Sequence, residues 1–123
     1  MKYSIEKNDK FSLFQLHEEN LNALIAPKLK SEFIFLWNEG VESLLLDLGE
    51  VKFVDSSGLS AILTANRLWK DNGSFIITGV RHDGVKKLIE ISRLETILNI
   101  KTTREEALDY LNSFPDLSKE GEA

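Results

Sequence analysis

Near the start of the chain, apolar and polar residues alternate one by one, whereas helical spacing appears only later. Over residues 2–7 and 11–17 the alternation has a period of two. Tyr3 and Ile5 share one face, and Phe14 and Leu16 share another. This period indicates β-strands. The polar turn residues 8–10 lie between the two segments, so the pattern predicts a β-hairpin.

Helical spacing first appears between residues 21 and 39. The apolar positions on one stripe are Leu21, Ile25, Leu29, Phe33 and Leu36. Such a stripe is typical of a helix that packs one face on a core. Asn20 is predicted to cap this helix and Gly40 to end it. Pro27 lies within the pattern, so it either kinks the helix or marks its true start.

The remaining segments alternate between strand and helix patterns. They predict a buried strand over 41–48, a short apolar run over 51–54, a helix over 57–71, a strand over 74–80, a helix over 84–92, an edge strand over 97–100 and a last helix capped by Thr102 or Thr103. Such an order predicts a largely parallel sheet covered by helices, which the opening hairpin makes mixed. We expect one α/β domain over residues 1–114, with four or five strands and four helices. An acidic, disordered tail is expected over 115–123.

Trp37 and Trp69 each lie near the end of a predicted helix. Tryptophan is enriched at the energetic centres of protein interfaces, so either residue is a candidate partner anchor. A tryptophan on an amphipathic helix more often packs at the core or its rim. We predict core or rim packing for both.

Charge and composition narrow the possible functions. The net charge of −5 and the scattered basic residues argue against a nucleic-acid partner. Cysteine is absent, which excludes a thiol nucleophile and a thiolate zinc site. His17 and His82 lack clustered ligands, so we expect no metal site. With no visible secretory signal and no long apolar run, the sequence predicts a cytoplasmic protein without membrane insertion.

The most informative chemistry lies where the apolar run 51–54 ends in Asp55, Ser56, Ser57 and Gly58 and a helical pattern begins. The carboxyl ends of strands in an open α/β sheet are a common place for function. Unpaired backbone N–H groups and the helix dipole favour negative charge at such a position. Three interpretations compete for these four residues, namely helix capping, catalysis and a regulatory phosphosite.

Capping explains the acid and one hydroxyl, but it does not require two serines and a glycine in a row. Catalysis by a serine requires a base and an oxyanion hole. The turn matches neither the Gly-x-Ser-x-Gly elbow nor a phosphate-binding P-loop, so an enzyme is disfavoured. A phosphate at the helix start would leave the fold intact, whereas a partner docked there would meet new charge and a desolvation cost.

Residues 53–63 read Phe-Val-Asp-Ser-Ser-Gly-Leu-Ser-Ala-Ile-Leu. This stretch closely resembles the signature of the STAS domain, in the branch of bacterial anti-sigma factor antagonists. The likeness includes the buried strand over 44–48 and the Asn-Gly pair at 72–73 followed by apolar residues 75–77. It covers residues 2–112, including the order of the elements.

In that family, the first serine after the aspartate is phosphorylated by a partner kinase that is also the anti-sigma factor. The resemblance therefore implies that Ser56 is the phosphoacceptor and that Asp55, Ser57 and Gly58 form the docking turn. The unphosphorylated antagonist binds the kinase and frees the sigma factor, and the phosphorylated form does not bind. A serine phosphatase resets it. The resemblance implies a non-enzymatic protein without a cofactor.

One stretch departs from the family pattern. The family's second strand usually ends in a Gly-Glu-Leu-Asp-like loop, whereas residues 17–22 lack the glycine and place Asn22 where the aspartate would be. Asn22, which we place among the partner-binding residues, can cap a helix and hydrogen-bond but carries no charge. If the kinase requires that charge, the chain is instead a structural STAS subunit of a signalling scaffold or a lipid-transport complex. A small ligand such as a nucleotide is a further alternative, although no nucleotide fingerprint is present.

Overall fold

The computed structural model describes residues 1–71 and 73–112, so the tail predicted over 115–123 and the domain end at 114 lie outside the described residues. The strands are β1 (Tyr3–Lys7), β2 (Ser12–Leu16), β3 (Asn20–Leu21), β4 (Ser43–Asp47), β5 (Phe53–Val54), β6 (Ser74–Thr78) and β7 (Asn99–Lys101). The helices are α1 (Ala26–Asn38), α2 (Ser56–Trp69), α3 (Asp83–Ile91) and α4 (Arg104–Asn112), with a short 3-10 turn at Leu94–Thr96.

Five strands form one mixed sheet in the order β1-β2-β4-β6-β7. β1 runs antiparallel to β2, which confirms the predicted hairpin, and the other neighbours are parallel. The buried strand predicted over 41–48 is β4 at the centre of the sheet. The edge strand predicted over 97–100 is β7. The expected single α/β domain with a mixed sheet and four helices is therefore confirmed.

One face of this sheet packs against α1 and α2 around a cluster of aromatic rings. Phe33 of α1 contacts Phe14, Phe75 and Trp69 in edge-to-face arrangements, with the Trp69 ring centroid 6.4 Å away. Trp69 is fully buried, and its indole N–H donates a 2.8 Å hydrogen bond to the carbonyl of Val41. Trp37 packs edge-on against Trp69, so core packing is confirmed for Trp69 and rim packing for Trp37.

The opposite face of the sheet packs on α4. The buried residues there are Leu13, Leu45, Ile76, Ala107 and Leu111. Thr103 caps α4 through its side-chain oxygen, which accepts from the backbone N–H of Glu106 at 3.2 Å. The Arg104 guanidinium donates to the buried carboxylate of Asp47 at 2.7 Å. A charge-assisted bond thus holds the start of α4 to the end of β4.

The start of α1 differs from the prediction. Asn20 does not cap a helix, because it lies in β3, which pairs in parallel with β5 in a separate two-stranded sheet. Leu21 is fully buried as part of that strand. Helix α1 begins only at Ala26, and Pro27 lies in its first turn. Proline suits that position because its missing N–H has no helical partner there, so Pro27 marks the true start of the helix.

Tyr3 on the edge strand β1 stacks on Phe14, with 4.9 Å between the ring centroids. Burial raises the pKa of the Tyr3 hydroxyl above its ordinary value of 10.0. The neighbouring carboxylate of Glu32 adds to this shift through its charge and a hydrogen bond. Both effects favour the neutral phenol.

Candidate functional site

The turn between β5 and α2 has the geometry of a capped helix start. Asp55 is extended (φ −96°, ψ −175°), and α2 begins at Ser56. One carboxylate oxygen of Asp55, Oδ1, accepts from the backbone N–H of Gly58 at 2.9 Å. That N–H would otherwise be unpaired in the first turn of the helix. The capping role considered for Asp55 is therefore confirmed.

The second carboxylate oxygen of Asp55 reaches across to another segment of the chain. Oδ2 accepts from the backbone N–H of Ala23 at 3.3 Å. The backbone N–H of Asp55 donates to the carbonyl of Leu21 at 3.1 Å. Asp55 thus ties the start of α2 to the loop 22–25 between β3 and α1. We call these two segments together, residues 22–25 and 55–58, the double loop.

Gly58 lets the two halves of the double loop approach closely. A Cβ atom at this position would lie 2.3 Å from the carbonyl oxygen of Leu21 and 2.7 Å from its Cγ. Both contacts are too short for any side chain, and one is to rigid backbone. Gly58 is itself buried, so it shapes the turn by close packing and offers little surface of its own.

Ser56 and Ser57 line the mouth of a shallow, open groove of about 370 Å³. The residues that form it are Ala23, Ala26, Pro27, Lys30, Ser56, Ser57 and Ser60. Ser56 is exposed and Ser57 is half-buried. Within residues 1–71 and 73–112, neither hydroxyl has a hydrogen-bond partner. The oxygen of Ser56 is therefore open to an incoming molecule.

Asn22 shapes the other half of the double loop. Its side-chain oxygen accepts from the backbone N–H of Leu24 at 3.0 Å. Its carbonyl accepts from the N–H groups of Ile25 and Ala26 at 3.1 and 2.8 Å. The residue that precedes α1 is Ile25, which makes no side-chain cap, so Asn22 uses its hydrogen-bonding capacity within the loop and not as the cap of α1. Asn22 and Asp55 lie on the two segments of the double loop, which the bond from Ala23 to Asp55 joins. Their role in partner binding stays a prediction.

Two residues of this surface were not singled out from the sequence. Leu24 is 89% exposed on the loop that Asp55 and Asn22 hold. Lys30 lies in the same groove as Ser56. Neither residue belongs to the apolar stripe that predicts α1, so helical periodicity gives no signal for either of them. Both positions depend on how α1 packs beside α2, which a linear pattern does not contain.

The histidines occupy other environments. The Nδ1 atom of His17 lies 2.5 Å from a carboxylate oxygen of Glu50, and its Nε2 atom lies 3.0 Å from the hydroxyl of Ser4. Both ring nitrogens are thus engaged away from Ser56. His82 precedes α3. In the part of the chain that the structure describes, no three or more histidine or carboxylate side chains are grouped to hold a metal ion.

A comparison with known families identifies the chain. A sequence profile of the STAS domain matches residues 2–107. The chain belongs to the STAS domain family. The resemblance seen in residues 53–63 is thereby confirmed. None of the described helices of this STAS domain is both long and apolar enough to pass through a bilayer.

Solved structures show the same fold. An anti-sigma factor antagonist from Mycobacterium paratuberculosis superposes with a TM-score of 0.82 at 19% identity, over 91% of this chain and 94% of that one. The anti-sigma factor antagonist SpoIIAA in its unphosphorylated form superposes with a TM-score of 0.75 at 19% identity, over 94% of this chain and 100% of that one. The phosphorylated form of SpoIIAA from Bacillus superposes with a TM-score of 0.68 at 19% identity, over 89% of this chain and 99% of that one.

A chain of the stressosome, described as a signal integration and transduction hub, gives a TM-score of 0.71 at 20% identity. The match covers 89% of this chain and 96% of that one. At these identities the likeness establishes the STAS fold, and the family assignment rests on the domain match over residues 2–107.

Proposed function

We propose that this STAS domain is an anti-sigma factor antagonist. Its partner is an anti-sigma factor that is also a serine kinase, and the two bind while Ser56 is unphosphorylated. Phosphorylation of Ser56 ends the binding, and a serine phosphatase restores it. The chain acts by binding alone and performs no catalysis.

The observation that carries this proposal is the environment of Ser56. Its side chain is exposed at the first position of α2, and its hydroxyl has no internal partner in the described residues. The adjoining groove is open, so an enzyme that carries ATP has access to the oxygen. A similar fold occurs in SpoIIAA, which has been solved in both an unphosphorylated and a phosphorylated form.

The proposed switch follows from electrostatics at this helix start. A phosphoserine carries nearly two negative charges and three strong acceptor oxygens. At the N-terminus of α2 the fold tolerates this charge, because the helix dipole favours anions there. A partner that covers Ser56 must instead strip water from the dianion, which costs several kcal/mol when no counter-charge is supplied. The fold therefore survives phosphorylation and the complex does not.

A direct test uses the serine kinases encoded in the genome that encodes this chain. Each purified kinase is incubated with the protein and ATP, and the phosphate is mapped by mass spectrometry. We expect label on Ser56, none in the Ser56→Ala variant, and unchanged labelling in the matched control Ser57→Ala. Label on Ser57 alone, or none on either serine, would contradict the proposal.

Binding provides the second test. We expect the Ser56→Ala variant to bind the labelling kinase about as tightly as wild type does, and Ser56→Asp to bind at least tenfold more weakly. The added carboxylate reproduces part of the charge of a phosphate. Tight binding by Ser56→Asp and by the phosphorylated protein would refute the charge mechanism.

Asn22 supports a second candidate, a structural STAS subunit of a signalling or lipid-transport complex. The side chain of Asn22 is neutral and is used to shape its own loop. It supplies no charge for a kinase that needs an acid at this position. The fold is also similar to that of a stressosome chain. Stable binding to the kinase with no transfer to Ser56 would favour this second candidate.

A further inference from the structure

Leu24 follows Ala23, which lines the groove together with Ser56, and has 89% of its surface exposed. Exposed leucines are common on mobile loops, but this one is held in place. Its N–H donates to the side chain of Asn22 at 3.0 Å, and the neighbouring N–H of Ala23 donates to Asp55 at 3.3 Å. Backbone hydrogen bonds thus hold the loop that presents this large apolar side chain, and the core of the domain does not cover it.

Lys30 supplies a charge in the same place. It is half-buried in the groove that contains Ser56 and Pro27. Every ion pair among the described residues lies elsewhere, and no carboxylate is within 4 Å of the Lys30 ammonium in that part of the chain. Among the described residues that line the groove, Lys30 is the only charged one.

The surface around Ser56 therefore has one protruding apolar group and one cation without a counter-ion. We propose that Leu24 and Lys30 are the two contacts by which the kinase partner recognises this chain. The partner offers an apolar pocket for Leu24 and a carboxylate for Lys30. This inference rests on the proposed function, because a kinase that phosphorylates Ser56 must cover the groove, which is lined by Lys30 and by Ala23, the neighbour of Leu24.

The chemistry of the groove also links these contacts to the switch. A phosphate on Ser56 enters the groove that already holds the Lys30 ammonium. The phosphate then competes with the partner's carboxylate for that charge. Phosphorylation therefore removes one of the two recognition contacts and adds the part of the desolvation cost that pairing with Lys30 does not offset.

The test measures binding to the kinase that labels Ser56, by calorimetry with ADP present so that no phosphate is transferred. Leu24→Ala should weaken binding roughly tenfold to a hundredfold, as expected for an apolar anchor at the centre of an interface. Lys30→Gln should weaken it about three- to tenfold and flatten its dependence on salt concentration.

The chain offers a matched control for each variant. Ile91 is 82% exposed and lies at the end of α3, so Ile91→Ala removes similar apolar surface elsewhere. Lys28 is an exposed lysine two positions from Lys30 on α1, so Lys28→Gln removes the same charge outside the groove. Both controls should bind as wild type does. Urea unfolding of all four variants should match wild type, because the altered side chains lie outside the core.

The proposal is overturned if Leu24→Ala or Lys30→Gln binds as tightly as its control. It is supported if both are weakened and both controls are not. Failure of the proposed function has a separate signature, in which Ser56→Asp and the phosphorylated protein bind like wild type. That result would refute the phosphoswitch and would leave the measurements on Leu24 and Lys30 to decide the docking surface.

Discussion

Asp55 provides a sharp test of how the double loop is built, because its two carboxylate oxygens serve different segments. Asp55→Ser retains one oxygen that can cap α2, whereas Asp55→Ala retains none. Loss of a helix cap costs about 1 kcal/mol. The 3.3 Å bond to Ala23 is long and exposed, so its loss costs roughly 0.5 kcal/mol, the low end for a hydrogen bond. We therefore expect Asp55→Ala to lower the free energy of unfolding by about 1.5 kcal/mol, and Asp55→Ser by about 0.5 kcal/mol.

Two measurements separate these effects. Urea unfolding followed by tryptophan fluorescence gives the free energies, because Trp69 is fully buried in the folded state. Hydrogen exchange by NMR reports the individual bonds. The N–H of Ala23 should exchange faster in both variants. The N–H of Gly58 should exchange faster only in Asp55→Ala, since its side-chain acceptor is the Oδ1 atom of Asp55.

The outcomes that refute this reasoning are specific. An unchanged exchange rate for Ala23 in Asp55→Ser would show that the carboxylate does not hold the loop. Equal stability of Asp55→Ala and wild type would show that the cap contributes nothing. The first result would remove one of the two hydrogen bonds that hold the loop carrying Leu24.

Three further predictions concern the packing of the domain. Gly58→Ala should lower the free energy of unfolding by about 1–2 kcal/mol in urea, because the clash with Leu21 outweighs the gain in helix propensity; equal stability would contradict the close approach. Trp69→Phe should lower the free energy of unfolding by about 2–3 kcal/mol, because it opens a cavity and leaves the carbonyl of Val41 unpaired. Thermal unfolding measures this loss, and a melting temperature equal to that of wild type would contradict it. The folded state raises the pKa of Tyr3, so the resulting stability is present below pH 10.0 and is lost as the pH rises through the folded pKa. Urea midpoints above that pH should therefore fall more steeply for wild type than for Tyr3→Phe, and parallel curves would refute the shift.

The parts of the fold that could be predicted are those set by local pattern. The hairpin, the buried strand β4 and the helix start at Asp55 each follow from residues close together in sequence. Capping by Asp55 was among the interpretations of the turn because aspartate before a helical stripe has few other local uses. The role of Ser56 as phosphoacceptor stays a prediction, because it depends on a partner.

The parts that were missed depend on contacts between distant residues. β3 and β5 have two residues each, too few for a period of two, and they exist because they pair with one another. Asn20 was wrongly given to a helix because Leu21 fits the apolar stripe of α1 and the buried face of β3 equally well. The bond between Asp47 and Arg104 joins residues 57 positions apart, and the sequence around either residue does not predict it.

The two faces of the main sheet are covered unequally, and this has a consequence for handling the protein. The face opposite the double loop is covered by α4, a nine-residue helix that buries Ala107 and Leu111. Short helices with few buried contacts open at low free-energy cost. Limited proteolysis should therefore cut first near α4, before the serine turn is disturbed. A fragment trimmed in this way would show new apolar surface at Leu45 and Ile76 and would tend to aggregate while still presenting its docking residues.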